Sequence, residues 1–242
     1  MKYELYYWPG IQGRGEFVRL ALEAAGVDYV DTAKDRDGEE AATKKLLNFM
    51  VDPGLTHPPF APPVLKVGEL SIAQTANILL YLGAHHGLAP SDEAGRVWTH
   101  QLQLTVTDWV AEVHDTHHPL GPSEYYEDQK SEARKRAKLF LQHRLPKFLG
   151  YFEKVLQRNP AGSEFLVGKT LSYADLSLFQ MIAGLRYAFP RAMHKIESGY
   201  PAAISLHERV SKRPRIAAYL ASPRRLAFNE DGLFRHYPEL DE

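Results

Sequence analysis

Two short segments carry residues suited to holding a small charged ligand. Ala61-Pro62-Pro63-Val64-Leu65 reads as proline entering a strand. Proline lacks an amide donor and fixes φ, so it collects at strand starts and sharp turns, where the cis bond is also found. After a Gly68-Glu69 turn, Ile72-Ala73-Gln74-Thr75-Ala76-Asn77-Ile78 reads as a second strand passing into a helix that opens on Gln74 and Thr75. The first turn of such a helix offers unpaired N–H groups and a positive dipole end, which suit a carboxylate. A proline-bounded strand edge beside an anion-binding helix start is suited to a short acidic peptide.

The elements that must position these residues fall into two halves. Tyr3 to Trp8 is rich in aromatics and suits a buried strand. Pro9-Gly10 ends it, and Glu16 to Ala25 reads as a helix with Phe17, Leu20, Ala21 and Ala24 on one face and Gly26 as its left-handed stop. Asp28 to Asp31 suggests a second strand, joined to the first as a parallel pair by a right-handed crossover. Glu39 to Met50 is a weaker helix, and 51–62 is an ordered loop. Val64–Val67 and Leu70–Ile72 form a hairpin, and Thr75 to Leu82 a helix. This order is a thioredoxin-like layout. From Val97 onward only helices are legible, with Leu102, Val106, Trp109, Val110 and Val113 on one stripe and Leu145, Leu149, Phe152 and Leu156 on another. Pro146 marks a kink or a helix start. The expected organisation is an α/β domain over 1–84, a linker over 85–94 and an all-α domain over 95–242.

Composition narrows the function classes. The 242 residues are 44% hydrophobic and 24% charged, with a formal net charge of −1, as in an ordinary soluble globular protein. Such a balance favours neither nucleic acid nor an anionic membrane surface as partner. The basic run Arg134-Lys135-Arg136 reads as a solvated helix face. No apolar run reaches membrane-spanning length, and the amino terminus enters strand-like sequence directly, so a cytoplasmic protein is expected. There are no cysteines, which excludes disulfides, cysteine-based metal sites and a cysteine nucleophile.

In order and in residues, nearly the whole chain resembles the cytosolic glutathione transferases, nearest the tyrosine-using alpha, mu, pi and sigma classes. Three matches carry the resemblance: the run from Pro63 through Gly68-Glu69 to Gln74-Thr75; the capping segment Phe165-Leu166-Val167-Gly168-Lys169-Thr170-Leu171-Ser172-Tyr173-Ala174-Asp175; and Lys212-Arg213-Pro214 through Leu220-Ala221-Ser222-Pro223. The capping segment also makes sense by itself. Ser172 is a good N-cap, Asp175 is negative where the helix dipole favours it, and Leu171 with Leu176 can form a hydrophobic staple.

The resemblance implies a thioredoxin-like domain that binds glutathione as co-substrate, followed by a helical domain, with no metal and with a small hydrophobic electrophile as second substrate. A thiolate is the required nucleophile, and a phenol donor aimed at the sulfur favours it. Alignment on the first strand assigns that catalytic role to Tyr7. Alignment back from Gly13-Arg14-Gly15-Glu16 slips, because the loop Pro9-Gly10-Ile11-Gln12 is one residue longer than usual, and leaves Tyr6 as the alternative. Gln74 and Thr75 would hold the γ-glutamyl end. Arg14 would neutralise a carboxylate or brace the first helix, and Lys44 and Lys45 are options for the glycine carboxylate. The strand edge at Pro62 and Pro63 would hold the cysteinyl part, with one departure. The residue before the cis-proline offers both N–H and C=O in the family, and Pro62 has no N–H to give.

The electrophile pocket implied by the resemblance is walled by Trp8, Ile11, Trp109, His114 and Phe234. His114, His117 and His118 fall on neighbouring helical faces and read as pocket lining or exposed polar residues ahead of a metal site; His85-His86 falls in the linker. Conjugation is the leading activity, with glutathione-dependent peroxide reduction or isomerisation at the same site. The contrasting reading is a binding protein of the same fold with little turnover. A homodimer is expected by resemblance.

Overall fold

The structure is a computed structural model and describes residues 2–242. A four-stranded sheet is built from β1 (Tyr3–Tyr6), β2 (Tyr29–Asp31), β3 (Val64–Val67) and β4 (Leu70–Ala73) in the order β2-β1-β3-β4. β1 and β2 are parallel and joined through α1 (Gly15–Ala25); β3 is antiparallel to both β1 and β4. Leu5 and Leu65 are fully buried where α1 and α3 (Thr75–His86) pack one face of the sheet. On the other face α2 (Glu39–Met50) covers Tyr6 and Val64 with Leu46 and Phe49.

The sheet register decides what meets at its end. Tyr6 pairs with Val64, and Val64 pairs with Ala73. The next residues out, Tyr7 after β1, Pro62-Pro63 before β3 and Gln74 after β4, therefore leave the sheet at the same edge. The Pro62-Pro63 bond is cis, and Gln74, at φ 69°, is the one non-glycine residue in the left-handed region among the described residues. This conformation turns the chain sharply into α3, whose first-turn amides face outward at that edge.

Helices complete the chain: α4 (Glu93–His114), α5 (Lys130–Leu139), α6 (Leu145–Arg158), α7 (Tyr173–Ala188), α8 (Pro190–Ile196), α9 (Pro201–Ser211) and α10 (Pro214–Leu220). A wide-turn segment at Phe140–Arg144 joins α5 to α6 without a break, and Pro146, which has no amide to donate, follows it directly. The apolar stripes from Leu102 to Val113 and from Leu145 to Leu156 both face the core. α3 runs on through His85 and His86, two residues into the segment expected as linker, and His86 Nε2 lies 2.7 Å from the Tyr3 hydroxyl.

The capping box forms as the sequence implies. Asp175 is fully buried; its Oδ1 accepts the Leu166 amide at 2.7 Å and its Oδ2 the Ser172 amide at 2.7 Å and hydroxyl at 2.6 Å. One carboxylate thus ties the preceding loop to the start of α7, the central helix of this half. Leu171 and Leu176 are both buried beside it, as a staple requires.

Two residues expected to wall a pocket belong to the core. Trp109 is fully buried between Phe148 and Phe152, with stacked rings at 5.1 and 5.8 Å. It lies on the inward stripe of α4, so it cannot touch a ligand at the surface. Phe234 packs onto Gly184 of α7, where an added Cβ would come within 2.4 Å of the ring. It anchors the C-terminal segment and is 2% exposed.

Candidate active site

Tyr7 and Tyr6 take opposite faces, as neighbours on a strand must. Tyr6 stacks on Phe49 at 4.1 Å and donates its hydroxyl to Glu4 at 3.0 Å; burial first, and then Glu4, pushes its pKa up to about 12. Tyr7 turns to the α1 side. Its hydroxyl oxygen accepts the Arg14 amide at 2.8 Å. The turn can come this close because Gly13 has no side chain: a Cβ there would lie 2.2 Å from the Tyr7 oxygen, and its φ of +47° favours glycine as well.

Burial raises the Tyr7 pKa, and the Arg14 amide, the Arg14 and Arg19 charges and the Gly15 amide pull against it. The net shift is upward, so the phenol keeps its proton at neutral pH. Since its oxygen accepts from Arg14, that proton is directed elsewhere.

Arg14, Gln74 and Thr75 line one cavity of ≈ 250 Å³ between α1, α3 and α4. Arg14 makes no ion pair among the described residues. The Thr75 hydroxyl oxygen is buried with no partner among the described residues, and so is Nδ1 of His100 on the opposite wall. Together with the α3 amides these groups favour an anionic, hydrogen-bonding ligand. His100, Gln103 and Thr107 were missed by sequence reasoning. They share a stripe of α4 one position round from its apolar stripe, and only the packing of α3 against α4 reveals that it lines a cavity.

Trp8 is 38% exposed on the loop after Tyr7, and Ile11 is half-buried on the same loop. His114 continues the cavity-lining stripe of α4, and its imidazole pKa is lowered by burial and by the Arg14 charge. His117 and His118 are buried behind it, hydrogen-bonded to each other through their Nδ1 atoms, and His117 Nε2 lies 3.0 Å from the Leu233 carbonyl. A carbonyl only accepts, so His117 carries its proton on Nε2 and His118 supplies the shared one. Among the described residues no cluster of histidines and carboxylates has the arrangement of a metal site. Lys45 faces Asp35 at 3.8 Å, and Lys44 lines a shallow groove beside Pro9 with Glu39 and Glu40.

Comparison with known proteins shows the family. Residues 114–223 match the family model described as glutathione S-transferase, C-terminal domain. Glutathione S-transferase P 1 of Xenopus laevis is 30% identical over 229 residues, 92% of this chain and 93% of that protein. Glutathione S-transferase of Plasmodium falciparum (isolate 3D7) is 25% identical, over 90% of this chain and 94% of its own length. In fold the chain is similar to the pi-class glutathione S-transferase of Onchocerca volvulus, with a TM-score of 0.69, 23% identity and coverage of 91% of this chain and 92% of that one. It is similar also to prostaglandin synthase D of Nilaparvata lugens, with a TM-score of 0.70, 19% identity and coverage of 94% and 100%. The chain belongs to the glutathione S-transferase family of enzymes. Its fold is accordingly a thioredoxin-like domain followed by the family's helical domain.

Proposed function

We propose that this enzyme conjugates glutathione, through its sulfur, to small aromatic or unsaturated electrophiles, with Tyr7 as the group that holds the thiolate. The observation that carries the reading is the meeting, at one sheet edge, of Tyr7, the cis Pro62-Pro63 bond and the start of α3. The α3 amides and the Thr75 hydroxyl would take the γ-glutamyl carboxylate. The Pro62 carbonyl would accept the cysteinyl N–H in the manner of an added strand. The Tyr7 hydroxyl would then donate to the sulfur, favouring S⁻ over SH.

The step balances simply. The thiol proton leaves to solvent on binding, and the sulfur lone pair forms a C–S bond at the electrophilic carbon. Either a leaving group departs with its electron pair or, in an addition, the adjacent carbon takes up a proton. Trp8, Ile11 and His114 would meet the electrophile. We assign the sheet-bearing part to the chain up to residue 86 and the helical part to 93–242, which moves the expected bounds of 84 and 95 by two residues each and keeps α3 and α4 whole.

A homodimer is proposed on two surface features. Phe60 is 93% exposed on the loop before Pro62, and a groove of ≈ 400 Å³ on the helical half is lined by Trp98, Tyr151 and Val155. A large exposed aromatic and an apolar groove are complementary features of an interface.

Steady-state conjugation of glutathione to an activated chloronitrobenzene tests the activity. Turnover that saturates with glutathione and falls on Tyr7→Phe is expected. The second reading, a binding protein with little turnover, draws on Pro62, whose missing N–H removes one hydrogen bond to the substrate. Glutathione binding without turnover toward any electrophile or hydroperoxide would favour it.

A further inference from the structure

The loop behind Tyr7 is held by a closed ring of buried polar side chains that no step above uses. Gln180 on α7 donates to Gln12 Oε1 at 2.8 Å and accepts from Arg225 at 3.1 Å. Arg225 donates to Glu16 Oε1 at 2.6 Å; Glu16 Oε2 faces Arg19 at 3.5 Å; and the same Arg19 nitrogen donates to the Gln12 carbonyl at 3.2 Å, which closes the circuit. Tyr219 adds its hydroxyl to Glu16 at 2.9 Å, Asp31 takes Arg19 Nε at 2.7 Å, and Gln12 Nε2 donates to the Leu226 carbonyl at 2.5 Å. Gln12, Glu16, Arg19 and Gln180 are all buried. The ring itself holds two arginines and one carboxylate, and Asp31 beside Arg19 supplies the second carboxylate that balances the charge.

The ring reaches the phenol by a short path. The Gln12 carbonyl also accepts the Glu16 amide at 3.0 Å, which fixes both ends of the turn Gln12–Glu16. Within that turn lies the Arg14 amide that the Tyr7 oxygen accepts. The Arg19 guanidinium carbon is 5.8 Å from the centre of the Tyr7 ring. Three ring members come from the first half of the chain, and Gln180 and Arg225 from the second.

We infer that this ring is a positioning device through which α7 and the segment after α10 set the Arg14 amide against the Tyr7 oxygen, with Gln180 and Arg225 as positioning residues for catalysis. The inference rests on the reading of Tyr7 as the thiolate-holding group. A buried polar network specifies one geometry only when every member is satisfied. Opening the circuit from the far side should therefore loosen the turn while leaving every residue at the glutathione cavity unchanged.

The test is an ultraviolet titration of the thiolate of enzyme-bound glutathione, with thermal stability measured alongside. Gln180→Leu and Arg225→Met open the ring, Arg225→Lys keeps its charge, and Tyr7→Phe is the reference. Glu16→Gln is avoided because its buried carboxylate carries three partners and its loss endangers folding. Gln180→Leu and Arg225→Met should raise the apparent thiol pKa by about 0.5–1 unit, a 3- to 10-fold loss of thiolate at a pH below it, with Arg225→Lys nearer the wild type. Folded variants with lowered melting temperature and a wild-type thiol pKa would overturn the inference and leave the ring a purely structural feature. An unshifted Tyr7→Phe would remove the reading beneath it, and with it the positioning role; that failure is distinguishable because it appears in the reference variant itself.

Discussion

The amide of Arg14 donates to the hydroxyl oxygen of Tyr7 at 2.8 Å, across a turn that only glycine at position 13 allows. The contact fixes which way the phenol proton can point. It also ties the proposed catalytic group to a loop rather than to the strand that carries it, so changes in that loop should be read out at the site.

Gly13→Ala tests that geometry directly. The new Cβ would clash with the Tyr7 oxygen and sit at an unfavourable positive φ. Conjugation should fall at least 10-fold, about 1.4 kcal/mol in barrier, with a smaller change in glutathione affinity, measured by steady-state kinetics and calorimetry.

Pro62 should weaken glutathione binding by one backbone hydrogen bond. Pro62→Val supplies the missing N–H, and the dissociation constant should tighten by about 2- to 10-fold, the worth of one net hydrogen bond of about 0.5–1.5 kcal/mol. Isothermal titration reads this. Equal affinities would mean the ligand does not lie along this strand edge.

Asp175→Ala should destabilise the fold by about 3–5 kcal/mol, because it strands two buried amides and removes half of a capping box. Urea denaturation gives the value. Ser172→Ala removes only the cap hydroxyl and should cost about 1–2 kcal/mol.

Acid should loosen the C-terminal segment. Burial pushes the pKa of His118 down to about 4 and that of His117 down to about 2, with the Arg235 and His114 charges adding to the effect; on His118 Glu127 opposes it, and on His117 the hydrogen bond to the Leu233 carbonyl does. The unfolded chain binds these protons below about pH 6.5 while the folded chain does not, so stability is lost as pH falls. The slope is at most about 1.4 kcal/mol per pH unit per histidine, from pH 6.5 to 4 for His118 and further down for His117. A folded His118→Gln variant should show a shallower loss between pH 6.5 and 4 in pH-dependent denaturation.

Much of this molecule could be read from one sequence because its signals are local. The Ser172–Asp175 box, the Gly68 turn, the Gly26 stop and the apolar stripes of α4 and α6 each depend on neighbours a few residues apart. The pairing of the Pro62-Pro63 edge with the Gln74 helix start was legible from the residues, and Tyr7's role beside it only as a resemblance; the strand register supplies the physical cause of their meeting. What stayed hidden depends on long-range packing. Trp109 and Phe234 could not be told from pocket walls, because an aromatic on a helix or in a tail packs inward or outward according to partners far along the chain. The ring of Gln12, Glu16, Arg19, Gln180 and Arg225 joins residues as many as 213 positions apart (Gln12 to Arg225), and no periodicity marks it.

The central claim is that Tyr7 holds glutathione as its thiolate. Free thiols of this kind are almost fully protonated at neutral pH, so binding as thiolate must release a proton. Calorimetric titration with reduced glutathione at pH 7, repeated in buffers of different ionisation heat, counts that proton. The account predicts release of about one proton per site in the wild type and markedly less in Tyr7→Phe, with binding retained in both. Equal proton release by the two proteins, or binding without release in the wild type, would contradict it.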